Sequence, residues 1–146
     1  NQWLEELPHR HKVCIAGNHD GVLEALGAKE VQRRLPAVKY LQDSTVEVAG
    51  LRIHGCPLSV GTSPNKAFQP QSGYKESEAL AMIPEELDIL LTHGPGGSGK
   101  GTLGRASSLL EQRVNEVRPR YHVFGHWHPG WGACQGSADT VFINAS

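Results

Sequence analysis

The sequence predicts an α/β fold, and three observations predict it. Short apolar runs recur at His11–Ala16, Leu87–Thr92 and Tyr121–Phe124, each the length of a buried strand. Between them lie stretches with apolar residues at helical spacing, such as Leu109, Leu110, Val114 and Val117. Proline or glycine closes nearly every stretch and marks its boundary. There is no internal repeat and no low-complexity tract, so the economical reading is one domain over residues 1–146.

Gln2–Leu7 reads as the last turns of an amphipathic helix, ended by Pro8. The strand at His11–Ala16 runs into Gly17-Asn18-His19-Asp20-Gly21. A helix is expected over Val22–Leu35, carrying Val22, Leu23, Leu26, Val31 and Leu35, weakened at Gly27 and stopped by Pro36. Val38–Leu41 is a short strand. Thr45–Val48 and Leu51–His54 alternate around Ala49-Gly50, which predicts a hairpin with Val46, Val48, Leu51 and Ile53 on one buried face. Residues 55–73 are rich in Gly, Pro, Ser, Thr, Asn and Gln and read as a long binding loop or lid. Tyr74–Met82 is helical up to Pro84. Leu87–Thr92 is the strongest strand and delivers His93-Gly94-Pro95, followed by a glycine-rich loop to Gly104. A helix over Ala106–Val117 is broken by Pro119, and Tyr121–Phe124 leads into Gly125-His126-Trp127-His128. Trp131–Cys134 and Thr140–Ile143 form a closing hairpin around residues 136–139, with Trp131 and Phe142 as core.

The totals exclude several classes. A net charge of −1, from 14 basic and 15 acidic residues, gives no electrostatic reason to expect a nucleic-acid or membrane partner. No apolar run approaches transmembrane length and no leader is visible, so a cytoplasmic protein is expected. Cys14, Cys56 and Cys134 are odd in number and far apart, which argues against a disulfide framework or a zinc knuckle. Asn1 is not a start methionine, and both ends read as cut through structure, so a fragment is expected.

Three strands end alike. Ile15-Ala16 leads to Gly17-Asn18-His19-Asp20, Leu91-Thr92 to His93-Gly94, and Phe124 to Gly125-His126-Trp127-His128. In α/β folds, sites gather beyond the carboxyl ends of strands. Extended geometry would point His126 and His128 the same way, with Gly125 giving the backbone room to turn. An amide oxygen with several imidazoles suits a borderline divalent ion such as Mn, Fe or Zn.

Gly-Asn-His-Asp, Thr-His-Gly-Pro and Val-Phe-Gly-His-Trp-His, in that order, resemble the calcineurin-like metallophosphoesterases. The text around Tyr40–Ser44, Asp88–Pro95, Arg118–His126 and Phe142–Ser146 is similar to the metallophosphoesterase-domain-containing subfamily. The resemblance implies a two-sheet mixed β-sandwich flanked by helices and a centre with two divalent metals. It implies Asn18, His93 and His126 as ligands of one metal, and His128 of the other. His19 would lie beside the scissile phosphate as the catalytic group, stabilising charge or protonating the leaving oxygen. Asp20, Gly17, Gly94 and Gly125 would support the loops, with Asp20 orienting its loop and binding no metal. The implied substrate is a small-molecule phosphoester or nucleotide, more specifically a phosphodiester.

The family pattern begins with an Asp-x-His and a Gly-Asp, and residues 1–16 hold neither. The expectation is therefore an N-terminally truncated, partial domain with little or no turnover of its own. The alternative is a protein that binds metal or phosphate without catalysis. A rival signal is Gly94–Thr102, which approaches a P-loop with Gly-Lys-Gly-Thr between a strand and a helix. It reads as glycine enrichment in a variable loop. His9 and His11 read as solvated, Cys14 as core, His122 as packing or as a residue that supports the site from behind, and His54 as structural, with the pocket as its alternative place. Trp127 should point away from the two histidines, and Asn144 reads as structural.

Overall fold

A computed structural model of the chain describes residues 2–60, 63–96, 107–136 and 139–146, the side chain of Gln71 excepted. Among the described residues, β1 (Val13–Cys14) and β2 (Lys39–Tyr40) pair in parallel as a two-stranded sheet. The strands β3 (Ser44–Val48), β4 (Leu51–Cys56), β5 (Ile89–Thr92), β6 (Tyr121–Phe124), β7 (Gly132–Gln135) and β8 (Val141–Asn144) form a second sheet. Its order is β3-β4-β5-β6-β8-β7, parallel through β4, β5, β6 and β8, with an antiparallel partner at either edge. The helices are α1 (Gln2–Glu6), α2 (Gly21–Leu26), α3 (Ala28–Arg34), α4 (Glu76–Ala81) and α5 (Ser108–Val117). The expected α/β architecture with two sheets is present.

Strand alternation gives the larger sheet two unlike faces. On one face His54, Leu90, His122 and Phe142 stand in register as a row, with Cys56, Thr92, Phe124 and Asn144 as the next. All eight are buried, and α4 and α5 complete this core through Ala79, Leu80, Leu110, Val114 and Val117. The other face carries Ile89, Leu91, Val123, Val141 and Ile143, all only half-buried. The smaller sheet covers this face at one end: Gly55 approaches Ile15 and Leu41 so closely that a Cβ would lie 2.7 and 2.4 Å from their side chains. Beyond that contact a cleft of about 360 Å³ separates Val13, Cys14 and Ile15 from Leu91, Val123 and Phe124.

Several expected elements differ in the structure, each for a local reason. The helix expected over Val22–Leu35 is two helices. Gly27, at φ +75° and ψ 159°, ends α2 by donating to Leu23 O and starts α3 by accepting from Val31 N. That conformation is cheap only for glycine. The strand expected from Leu87 begins at Ile89, because Asp88 Oδ2 takes the Arg52 N–H at 2.8 Å. The hairpin turns at Ala49 (φ +52°) and Gly50 (φ +76°), with both residues left-handed as a two-residue turn requires. Its four apolar residues do share a face, but Leu51, beside the turn, is 37% exposed. Trp131, expected in the core, is 75% exposed, whereas Phe142 is buried. Val22 and Leu109 are also exposed on their helices. Cys14 is half-buried against the cleft, and burial pushes its thiol up to about 11.

Candidate metal centre

Three loops at the carboxyl ends of β1, β5 and β6 build the site. The first is a tight turn: Asp20 N donates to Gly17 O at 3.0 Å, and Asp20 Oδ2 accepts from Gly17 N at 2.7 Å. Asp20 thus ties its own loop and does not line the histidine pocket. The second loop meets the third where Gly125 N donates to His93 O at 3.1 Å. Beneath the second, Thr92 Oγ1 donates to Gly94 O and accepts from His122 Nε2 at 2.7 Å. The hydroxyl has one proton, so Nε2 of His122 carries the hydrogen. His122 Nδ1 then has no partner among the described residues.

The third loop reaches the expected result by a different route. His126 takes a left-handed backbone (φ +65°), and His128 opens a 3-10 turn, so the extended geometry stops at Phe124. The sharp bend falls on His126 and not on Gly125, whose added Cβ would meet only Ser146 Oγ at 3.7 Å. Asn144 holds this bend, donating through Nδ2 to Trp127 O at 2.7 Å. Trp127 is 43% exposed.

These loops bring Asn18, His93, His126, His128 and His19 to one cavity of about 230 Å³. His93 Nε2 lies 2.7 Å from Asn18 Oδ1 and 3.1 Å from His126 Nδ1. The His93 and His126 rings meet edge to face, with centroids 4.9 Å apart. His19 and His128 are exposed at the rim. Gly17 makes the close approach possible, because a Cβ there would sit 2.5 Å from His93 Cε1 and Nδ1. Burial, and then the neighbouring His126, lower His93 to about 4, and burial together with His128 and His19 lowers His126. Both rings are therefore neutral near pH 7 and keep lone pairs for a cation.

The donor set fits a divalent ion. One oxygen and two nitrogens, all able to give an electron pair, converge with at most a shared proton between neighbours. Among the described residues no three His, Cys, Asp or Glu side chains form a cluster able to hold a metal. The amide oxygen of Asn18 is thus integral to any set. No carboxylate lines the pocket among the described residues.

Two lining residues are of a type that declares no site chemistry in the sequence: Ser63 and Ser146. Asn65, whose Nδ2 lies 3.3 Å from His19 Nε2, was likewise hidden in a polar loop. The loop after β4 is pinned and does not hang free as a lid. Ser59 N donates to Phe68 O, and Glu24 Oε1 accepts from both Phe68 N and Ser72 Oγ at 2.7 Å. Phe68 and Leu58 are fully buried. His54 is buried away from the pocket with Nδ1 2.9 Å from Thr45 Oγ1. Of the P-loop-like stretch, residues 97–102 lie outside the described residues. Its start, Gly94–Gly96, is buried, and a Cβ on Gly96 would lie 2.3 Å from His122 Cε1. No helix among the described residues is long and apolar enough to cross a membrane.

The family model described as calcineurin-like phosphoesterase matches residues 1–130. Relatives include a UPF0046 protein of Caenorhabditis elegans, 35% identical over all of this chain and 59% of its own length. Metallophosphoesterase domain-containing protein 1 of Homo sapiens is 33% identical over all of this chain and 53% of its own length. The chain thus spans between 53% and 59% of these relatives. One solved crystal structure shares the fold, with a TM-score of 0.60 at 16% identity over 90% of this chain and 56% of that one.

Proposed function

The chain belongs to the calcineurin-like phosphoesterase family, and from that premise we propose that its site serves metal-dependent hydrolysis of a phosphodiester. The observation that carries the reading is the convergence of Asn18 Oδ1, His93 Nε2 and His126 Nδ1. These three atoms would hold one divalent ion (Mn, Fe or Zn), and His128 would serve a second. Such ions supply positive charge to a phosphoester as negative charge builds on it. His93 and His126 stay neutral so that their lone pairs remain available. Asn18 contributes an oxygen that needs no deprotonation. His19, exposed at the rim, is placed to hold or give the proton that the leaving oxygen takes up. Asp20 keeps the loop closed beneath both. The substrate is a small-molecule phosphodiester or a nucleotide.

The lack of a carboxylate among the described lining residues favours a second reading for this segment alone, ion binding with little turnover. An anionic ligand is what normally holds two cations close together, and imidazoles do not supply one. Calorimetric titration of the 146-residue chain with Mn²⁺ or Zn²⁺ tests both. One ion per chain is expected, with His93→Ala and His126→Ala each lowering affinity by about 100-fold or more. His19→Ala should leave ion binding unchanged. No ion uptake at millimolar metal would end the metal reading. Strong phosphodiester turnover by this chain would end the claim that it binds without catalysing.

A further inference from the structure

The Asn18 amide can face His93 in either of two orientations, and only one presents oxygen. Asn18 is 3% exposed, so neither amide hydrogen can be left to solvent. Both are taken by the loop after β4: Nδ2 donates to Ser63 Oγ at 3.0 Å and to the Asn65 carbonyl at 3.2 Å. A half-turn of the amide would set its oxygen against that carbonyl, acceptor to acceptor, and aim the NH₂ group at His93. The loop therefore selects the orientation in which Oδ1 reaches His93 Nε2.

We propose that Ser63 and Asn65 are positioning residues of this site. Ser63 Oγ and the Asn65 carbonyl fix the Asn18 amide with its oxygen inward, and the Asn65 side chain holds His19. Ser63 Oγ is itself fixed, since it also accepts from Asn65 N at 3.2 Å. The Asn65 carbonyl has a second tie, to Gln69 Nε2 at 3.3 Å, from a side chain buried beside Phe68. The Asn65 side chain stands 3.3 Å from His19 Nε2. Its amide matches that nitrogen in either state, donating through nitrogen to a bare Nε2 or accepting through oxygen from an Nε2–H. One short segment, anchored to the core, thus sets two adjacent residues of the first loop.

The ion-binding arm of the test rests on the reading above, and the ion-free arm does not. In the chain without metal, the Asn18 side-chain amide and the His19 and His93 imidazole nitrogens are followed by NMR. Ser63→Ala should move the Asn18 and His93 signals, and Ser63→Thr, which keeps the hydroxyl, should restore them. Asn65→Ala keeps the carbonyl, so it should move the His19 signals and leave those of His93 in place. In the second arm, Zn²⁺ affinity should fall by about 10–100-fold in Ser63→Ala, return in Ser63→Thr and survive in Asn65→Ala. Thermal melts should show all three variants folded cooperatively, with Ser63→Ala lowered by a few degrees for its unpaired Asn18 amide hydrogen and Ser63→Thr restored. Unmoved Asn18 signals in a folded Ser63→Ala chain would overturn the proposal. A parent chain that takes up no Zn²⁺ would remove the hydrolase reading, while the ion-free spectra would still decide this one.

Discussion

The imidazole of His93 packs against the α-carbon of Gly17, with no room for a methyl group between them. The contact joins the loop after β1 to the loop after β5, two segments that share no strand pairing. Gly17→Ala should therefore push the ring off Asn18 without touching any ligand atom. Zn²⁺ affinity is expected to fall by about tenfold or more, measured by calorimetry. Unchanged affinity would mean that the site tolerates a displaced His93.

Two fully buried imidazoles outside the pocket make the fold sensitive to acid. Burial lowers His54 to about 4 and His122 to about 3, from an ordinary 6.5. Between 6.5 and those values the unfolded chain takes up protons that the native chain does not. Stability is therefore full above pH 6.5 and falls as pH drops toward 4. At pH 5 each imidazole should cost about 2 kcal/mol relative to pH 7. Urea denaturation at the two pH values measures this. His122→Phe should flatten the dependence, since Thr92 can still donate to Gly94 O. A pH-independent midpoint in the parent chain would contradict the account.

Asn144 links the end of β8 to the bend carrying His126 and His128. It donates to Trp127 O and accepts from Ser146 N at 3.0 Å. Asn144→Ala should cost about 0.5–1.5 kcal/mol for each bond lost, because the Trp127 carbonyl and the Ser146 N–H lose their partner. Chemical denaturation reads the loss, and an unaltered midpoint would show the bend to be held by other contacts.

Glu24 latches the loop after β4 onto α2 through Phe68 N and Ser72 Oγ. Glu24→Ala removes two charge-assisted bonds and should destabilise by about 1.5–3 kcal/mol. Limited proteolysis should then cut within residues 63–73 at a clearly higher rate. Glu24→Gln, which keeps an acceptor oxygen, should show a smaller effect.

What could be read in the sequence was whatever depends on local pattern. Residues such as Leu90 and Phe124 declare a strand by their neighbours, and His93 and His126 declare chemistry by residue type. The bend at His126 could not be read this way, because a histidine at positive φ is fixed by Asn144 and His93, which are distant in sequence. Trp131 looked like core by its size, but no element among the described residues buries it, and it is 75% exposed. Ser63 and Asn65 were invisible for a simpler reason: in a loop of Ser, Pro and Asn, turn chemistry and site chemistry use the same residues. The break at Gly27 was half legible, since glycine weakens a helix but does not say whether the chain bends there.

The strand pair β1–β2 is two residues long on each side. The loops bearing His93 and His126 spring from the middle of six paired strands, whereas Asn18 and His19 hang from this slight ladder. On warming, the half of the pocket that supplies the amide oxygen should lose its shape first, while both imidazoles on the broad sheet stay in place. Amides at Ile15 to Asp20 should accordingly trade hydrogen for deuterium well before those of Leu90 or Val123, and a captured ion should slow them most.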